Sequence, residues 1–126
     1  SPSEWARATI EAAQRHGADR VVAEVNQGGN LVASVMRQVD PLIALTATHA
    51  VKGKAARAEP VAALYEQGRV KHLPRLGALE EQMALMTAQG FKGTGSPDRV
   101  DALVWALHEL ILEPAARHRS PRARVI

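Results

Sequence analysis

Two short β-branched runs with a helical stretch between them constrain this chain more than any other feature. "RVVAEV", Arg20 to Val25, and "LIALTAT", Leu42 to Thr48, read as strands. Between them Leu31, Val32, Val35, Met36 and Val39 recur at the spacing of a helical apolar stripe. Strands joined through a helix at this separation run parallel, with a right-handed crossover. The nearly unbroken apolarity of the first run fits a strand covered on both faces. The expected class is therefore soluble α/β, with a short, mainly parallel sheet flanked by helices. A length of 126 residues, 46% of them hydrophobic, suffices for one core, and 3% aromatic content leaves Ala, Val and Leu to fill it.

The remaining elements follow from caps and breakers. Ser3 to His16 reads as a helix capped by Ser3 and stopped by Gly17, with Trp5, Ala8, Ile10 and Ala12 as its apolar contacts. A basic connection, "HAVKGKAARAEP", leads into a helix ending near Gln67 and Gly68; "RVKHL" then reads as a short extended segment and Leu76 to Thr87 as a further helix. After the glycine-rich "GFKGTGSP", a last helix is expected from Pro97 to Glu113. The domain is expected over residues 1–113, and the Arg-rich, aperiodic stretch 114–126 as a disordered tail.

The formal charge of +3 is concentrated in Lys52, Lys54, Arg57, Arg69, Lys71 and Arg75, and again in Arg117, Arg119, Arg122 and Arg124. That clustering favours a polyanionic partner, although a solvated basic surface gives the same pattern. The absence of cysteine excludes disulfides and thiolate zinc sites. No apolar run approaches the ~20 residues of a membrane span.

Three acids carry the chemistry that the sequence suggests. Glu24 interrupts an apolar strand near its carboxyl end, where open α/β sheets place their sites; it must pair with an arginine or bind a cation. In "GSPDRVDALVWALHEL", Ser96 suits an N-cap and Asp98 the first helical turn. Asp101 has no such explanation. On a helix, Val100, Leu103, Val104, Leu107, Leu110 and Ile111 share one stripe, while Asp98 and Asp101 fall together on the other side, near Trp105. Two carboxylates on one edge are either solvated or share a cation, and with Glu24 they would offer hard oxygen ligands for Mg²⁺ or Mn²⁺. The "QGGN" turn could hold an anion or merely turn the chain. His49, His72 and His108 are ambiguous between ligand, phosphate contact and neither.

In order along the chain, "VVAEVNQGGN", "KGKAARAEPVAALYEQGRVKHL", "LEEQM" and "SPDRVDALVWALHEL" resemble the C-terminal nuclease domain of the large terminase subunit of tailed phages and gene transfer agents. The resemblance covers about Trp5 to Leu112. It implies an RNase H-like fold and a two-metal endonuclease, dependent on Mg²⁺ or Mn²⁺, that cuts double-stranded DNA during genome packaging. It further implies Glu24 and Asp101 as catalytic metal ligands, Asp98 as an auxiliary one, and Lys54 and Arg57, in the family's basic connection, as contacts to DNA; Lys52 and Lys71 can neutralise phosphates by their charge. A portal and a small terminase subunit are the implied partners, and the cytoplasm of a bacterial host, for a phage or prophage-derived protein, is the implied location.

The family's first catalytic aspartate lies on a strand of a meander that has no counterpart in these residues, so the fold is expected to be incomplete. Asp19 and Asp40 sit at the wrong ends of their strands to replace it. The Gly-x-x-x-x-Gly-Lys-Ser/Thr pattern of an ATPase motor is also absent. These features leave it open whether the chain is enzymatic: a nuclease fragment inactive alone, or a non-catalytic DNA-binding phage remnant. A small-molecule phosphate binder built on "QGGN" is a third reading. An exposed sheet edge would promote self-association.

Overall fold

The computed structural model describes residues 1–25 and 30–113. Residues 26–29 of the expected "NQGGN" turn, and the Arg-rich tail, lie outside them. The chain divides into two compact units, Ser1–Val51 and Lys52–Ile126. Each has its own apolar cluster, where composition suggested a single core.

In the first unit, helix α1 (Pro2–Arg15) precedes strand β1 (Val21–Glu24), helix α2 (Asn30–Val39) and strand β2 (Leu45–Thr48). Pro2 opens α1, one residue before the expected Ser3 cap, because its fixed φ suits the first helical turn and its missing N–H has no helical partner there. The two strands pair in parallel, with Val21 opposite Leu45 and Glu24 opposite Thr48. Ala6, Ile10, Val35 and Met36 form the centre of the core, and Val21, Ile43 and Leu45 pack onto it. Trp5 instead stays 40% exposed. Strand β1 is half-buried rather than sealed on both faces, and Glu24 is exposed among the described residues. The desolvation argument for Glu24 therefore lapses, although its place at the carboxyl end of the strand stands.

The second unit contains α3 (Lys54–Glu66), α4 (Gly77–Leu85), strands β3 (Met86–Thr87) and β4 (Gly90–Phe91), and α5 (Asp98–Leu107). Its core is Val61 and Leu64 from α3 with Val100, Val104 and Leu107 from α5. The expected helix Leu76 to Thr87 stops at Leu85, because Met86 and Thr87 pair antiparallel with Phe91 and Gly90. Gly90 has φ +117°, a backbone that disfavours other residues, and the Thr87 hydroxyl donates to its carbonyl at 2.8 Å.

The last helix also departs from expectation. After Leu107 the backbone widens into one π-helical turn, His108–Leu112, in which Glu113 N–H donates to His108 C=O at 2.8 Å. A wider turn changes which residues face inward. Glu109 is accordingly buried at 4% exposure, while Leu110, expected on the apolar stripe, is 66% exposed.

Met36, 1% exposed, fills the centre of the first core. Met36→Ala is expected to destabilise the chain by about 2–5 kcal/mol. Leu42→Ala, at a residue 92% exposed, should change stability by less than about 0.5 kcal/mol. Urea unfolding of both variants checks the contrast.

Candidate functional site

The acids at the start of α5 are placed by a cap from a different helix. Pro97 occupies the N-cap position and has no hydroxyl or amide with which to cap. Gln82 of α4 takes over: its Oε1 accepts from Arg99 N–H at 3.0 Å and Val100 N–H at 3.3 Å. Two of the amides that every helix start leaves without helical partners are satisfied in this way. Ser96, expected to be the cap, is engaged elsewhere: its Oγ accepts from Lys54 Nζ at 3.0 Å.

Lys54 also reaches Asp101, with Nζ 2.6 Å from Oδ2. The Asp101 side chain is 16% exposed and that of Lys54 is 45% exposed, so the carboxylate is largely withdrawn from water and the ammonium only partly. Asp98, one turn earlier, is exposed. The first turns of α5 thus offer one sheltered carboxylate already facing a positive charge and one open to solvent.

Arg57 has an interior position. It is 6% exposed; its guanidinium lies 4.8 Å from the centre of the Trp105 ring, and its Nη1 donates to Lys52 C=O. Stacking of this kind contributes about 2 kcal/mol when desolvated. Its own carbonyl accepts from His108 Nε2–H at 2.9 Å, and His108 Nδ1 lies 3.3 Å from the Glu113 carboxylate. No hydrogen bond joins Nδ1 to that carboxylate. These contacts tie α3 to α5 and to the π-helical turn. A phosphate contact by the Arg57 guanidinium would require it to leave this stack, so the structure gives it a supporting position and leaves Lys52, Lys54 and Lys71 exposed.

A second polar constellation was not foreseen. His72 bridges Tyr65 and Glu80, with its Nε2 2.7 Å from the Tyr65 hydroxyl and its Nδ1 2.9 Å from Glu80 Oε2. For neutral histidine, a proton on Nδ1 directed at the carboxylate leaves Nε2 to accept from the phenol. Tyr65, Val70, Lys71, His72, Glu80 and Met83 line an open groove of about 490 Å³. Nothing in the spacing of these three polar residues announces their meeting, since they come from α3, the irregular segment after it and α4. Burial, and secondarily the charge of Glu80, raises the Tyr65 pKa above its ordinary value of 10.0.

Glu24 lies in the first unit, beside Thr48 in the strand register, and Asp98 and Asp101 lie in the second. Among the described residues no three His, Cys, Asp or Glu side chains gather as a metal cage. Asp19 and Asp40 line a hollow of about 170 Å³ at the amino ends of the strands, away from the end that carries Glu24. No helix is long and apolar enough to cross a membrane, among the described residues.

A family model described as the terminase RNaseH-like domain matches residues 1–110. The chain belongs to that family. Its fold is accordingly RNase H-like, and its class of function is that of a terminase nuclease domain. No curated protein and no solved structure gave a significant match.

Two outcomes follow from this geometry. Gln82→Ala should uncap α5 and cost about 1 kcal/mol, measured by thermal unfolding. Tyr65 is the only tyrosine in the chain, so phenolate absorbance follows it alone. Its midpoint should lie above that of the unfolded chain, and Glu80→Gln should lower it only in part, because burial is the larger cause. With the folded value raised, the contribution of Tyr65 to stability is intact below about pH 10 and is lost as pH rises through the folded midpoint.

Proposed function

We propose that this chain supplies metal-binding and DNA-contacting parts of a terminase endonuclease that cuts double-stranded DNA during genome packaging, with a portal and a small terminase subunit as partners in a bacterial cytoplasm. The observation that carries the reading is Asp101. At the position where the family resemblance puts a metal ligand, this terminase RNaseH-like domain has a carboxylate only 16% exposed and facing a cation.

The donor set fits a hard divalent ion. Asp98 and Asp101 are oxygen ligands one helical turn apart, and Glu24 at the carboxyl end of β1 is the third acid that the resemblance assigns. Mg²⁺ or Mn²⁺ held by Asp98 and Asp101 would supply polarisation of the phosphodiester and activation of water. The chain's own residues do the rest. Gln82 fixes the first turn of α5, so that Asp101 keeps its place. The Arg57–Trp105–His108 contacts hold α3 against α5. Lys52, Lys54 and Lys71 neutralise backbone phosphates, which gives sequence-independent, salt-sensitive binding.

The family's first catalytic aspartate has no counterpart among these residues, so binding without cleavage is the expected behaviour of the 126 residues alone. A non-catalytic DNA-binding remnant is the competing reading. The two-stranded β1–β2 sheet has an open edge on each strand among the described residues, which supports self-association.

The test joins the chain to sequence supplying the first strand with its aspartate and follows nicking of supercoiled DNA with Mn²⁺. Cleavage is expected, and Asp101→Asn should reduce it by more than about 100-fold while DNA affinity changes little. Asp98→Asn should be milder. Full activity in Asp101→Asn would show that the site is misplaced, and no cleavage by the joined protein would favour the remnant.

A further inference from the structure

Lys54 holds Asp101 with a charge that a divalent cation at the same carboxylate would displace. Its ammonium has three donors. One is directed at Asp101 Oδ2 at 2.6 Å and one at Ser96 Oγ at 3.0 Å, while the side chain remains 45% exposed. A divalent cation on Asp101 would meet the lysine charge at the same carboxylate, and two positive charges cannot share it without cost. Lys54 stands at the first residue of α3, after Gly53, on a flexible four-carbon stem that can carry its charge elsewhere.

We propose that Lys54 is an exchangeable counter-ion. It holds Asp101 when no divalent cation is bound and is released to a DNA phosphate when the cation takes the carboxylate. This rests on the reading of Asp101 as a metal ligand. Metal then acts twice, at the carboxylate and by freeing a cation for the nucleic acid. Lys54 is thereby a positioning residue, and Ser96 is the second anchor that keeps it on Asp101 in the absence of metal.

The ion pair is partly exposed, so its removal should be modest in size. The Mn²⁺ affinity of the 126-residue chain is measured by titration calorimetry, and binding to a random-sequence DNA duplex across a salt series with and without Mn²⁺. Lys54→Met should bind Mn²⁺ about 3- to 10-fold more tightly. Ser96→Ala, which retains the lysine but loosens it, should shift the affinity in the same direction by less.

In the unaltered chain Mn²⁺ should steepen the dependence of log K on log salt by about 0.9, one additional phosphate contact. The same Mn²⁺ should add no such increment in Lys54→Met, which also subtracts any direct effect of the ion on DNA. Circular dichroism of both variants establishes that they are folded, and if Lys54→Met is not, Ser96→Ala carries the affinity test and Lys54→Gln the salt series. If Asp101→Asn leaves Mn²⁺ binding unchanged, the metal-ligand reading fails. If Asp101→Asn abolishes binding but loss or loosening of Lys54 does not tighten it, or the salt increment persists without the lysine, the exchange fails and the ligand stands.

Discussion

The buried guanidinium of Arg57 is the constraint on which the second unit depends. A charge withdrawn from water must be compensated locally. Here the Trp105 ring and the Lys52 carbonyl help to compensate it, while the backbone carbonyl of the same residue receives His108. One residue of α3 is therefore held by two residues of α5 and the turn that follows. Lys54, one turn earlier on α3, is brought within reach of Ser96 and Asp101 by the same helix. Loss of Arg57 would affect this arrangement more than the removal of one surface charge would suggest.

The acidic helix end is organised by groups that belong to other elements. Gln82 reaches from α4 to cap it, and Lys54 reaches from α3 to neutralise it. The position of Asp101 is thus a property of three packed helices and not of α5 alone. Such support keeps a carboxylate in one geometry when the charge facing it changes.

The parts legible in the sequence were those with a repeating signal. The β1–α2–β2 unit showed itself through β-branched runs and a helical stripe, and Asp101 stood out because capping accounted for Asp98 and not for it. The β3–β4 hairpin has two residues per strand and Ala88-Gln89 between them, too short for alternation and without the Asn-Gly or Asp-Gly that marks such turns. Arg57 looked like one more cation in a basic stretch, because nothing local tells a stacked guanidinium from a solvated one. The Lys54–Asp101 pair spans 47 positions of sequence and exists only through packing of α3 on α5. The convergence of Glu24 with the α5 aspartates remains an implication of the family resemblance, since the two lie in different units.

The π-helical turn has a consequence for how the C-terminal end of this domain tolerates change in length. A wide turn of this kind is what an α-helix becomes when it accommodates one extra residue without shifting the turns before it. Shortening His108–Leu112 by one position would restore ordinary helical spacing, because four α-helical steps of about 100° sweep nearly the same angle as the five narrower steps they replace, so Glu113 would keep nearly its present azimuth. The face that now brings Glu109 inward and Leu110 outward would be re-registered, while Val100, Val104 and Leu107 would keep their seats. The turn therefore acts as a phase boundary: Val100 to Leu107 meet the core of the second unit at α-helical spacing, and Glu109 to Leu112 follow a different count.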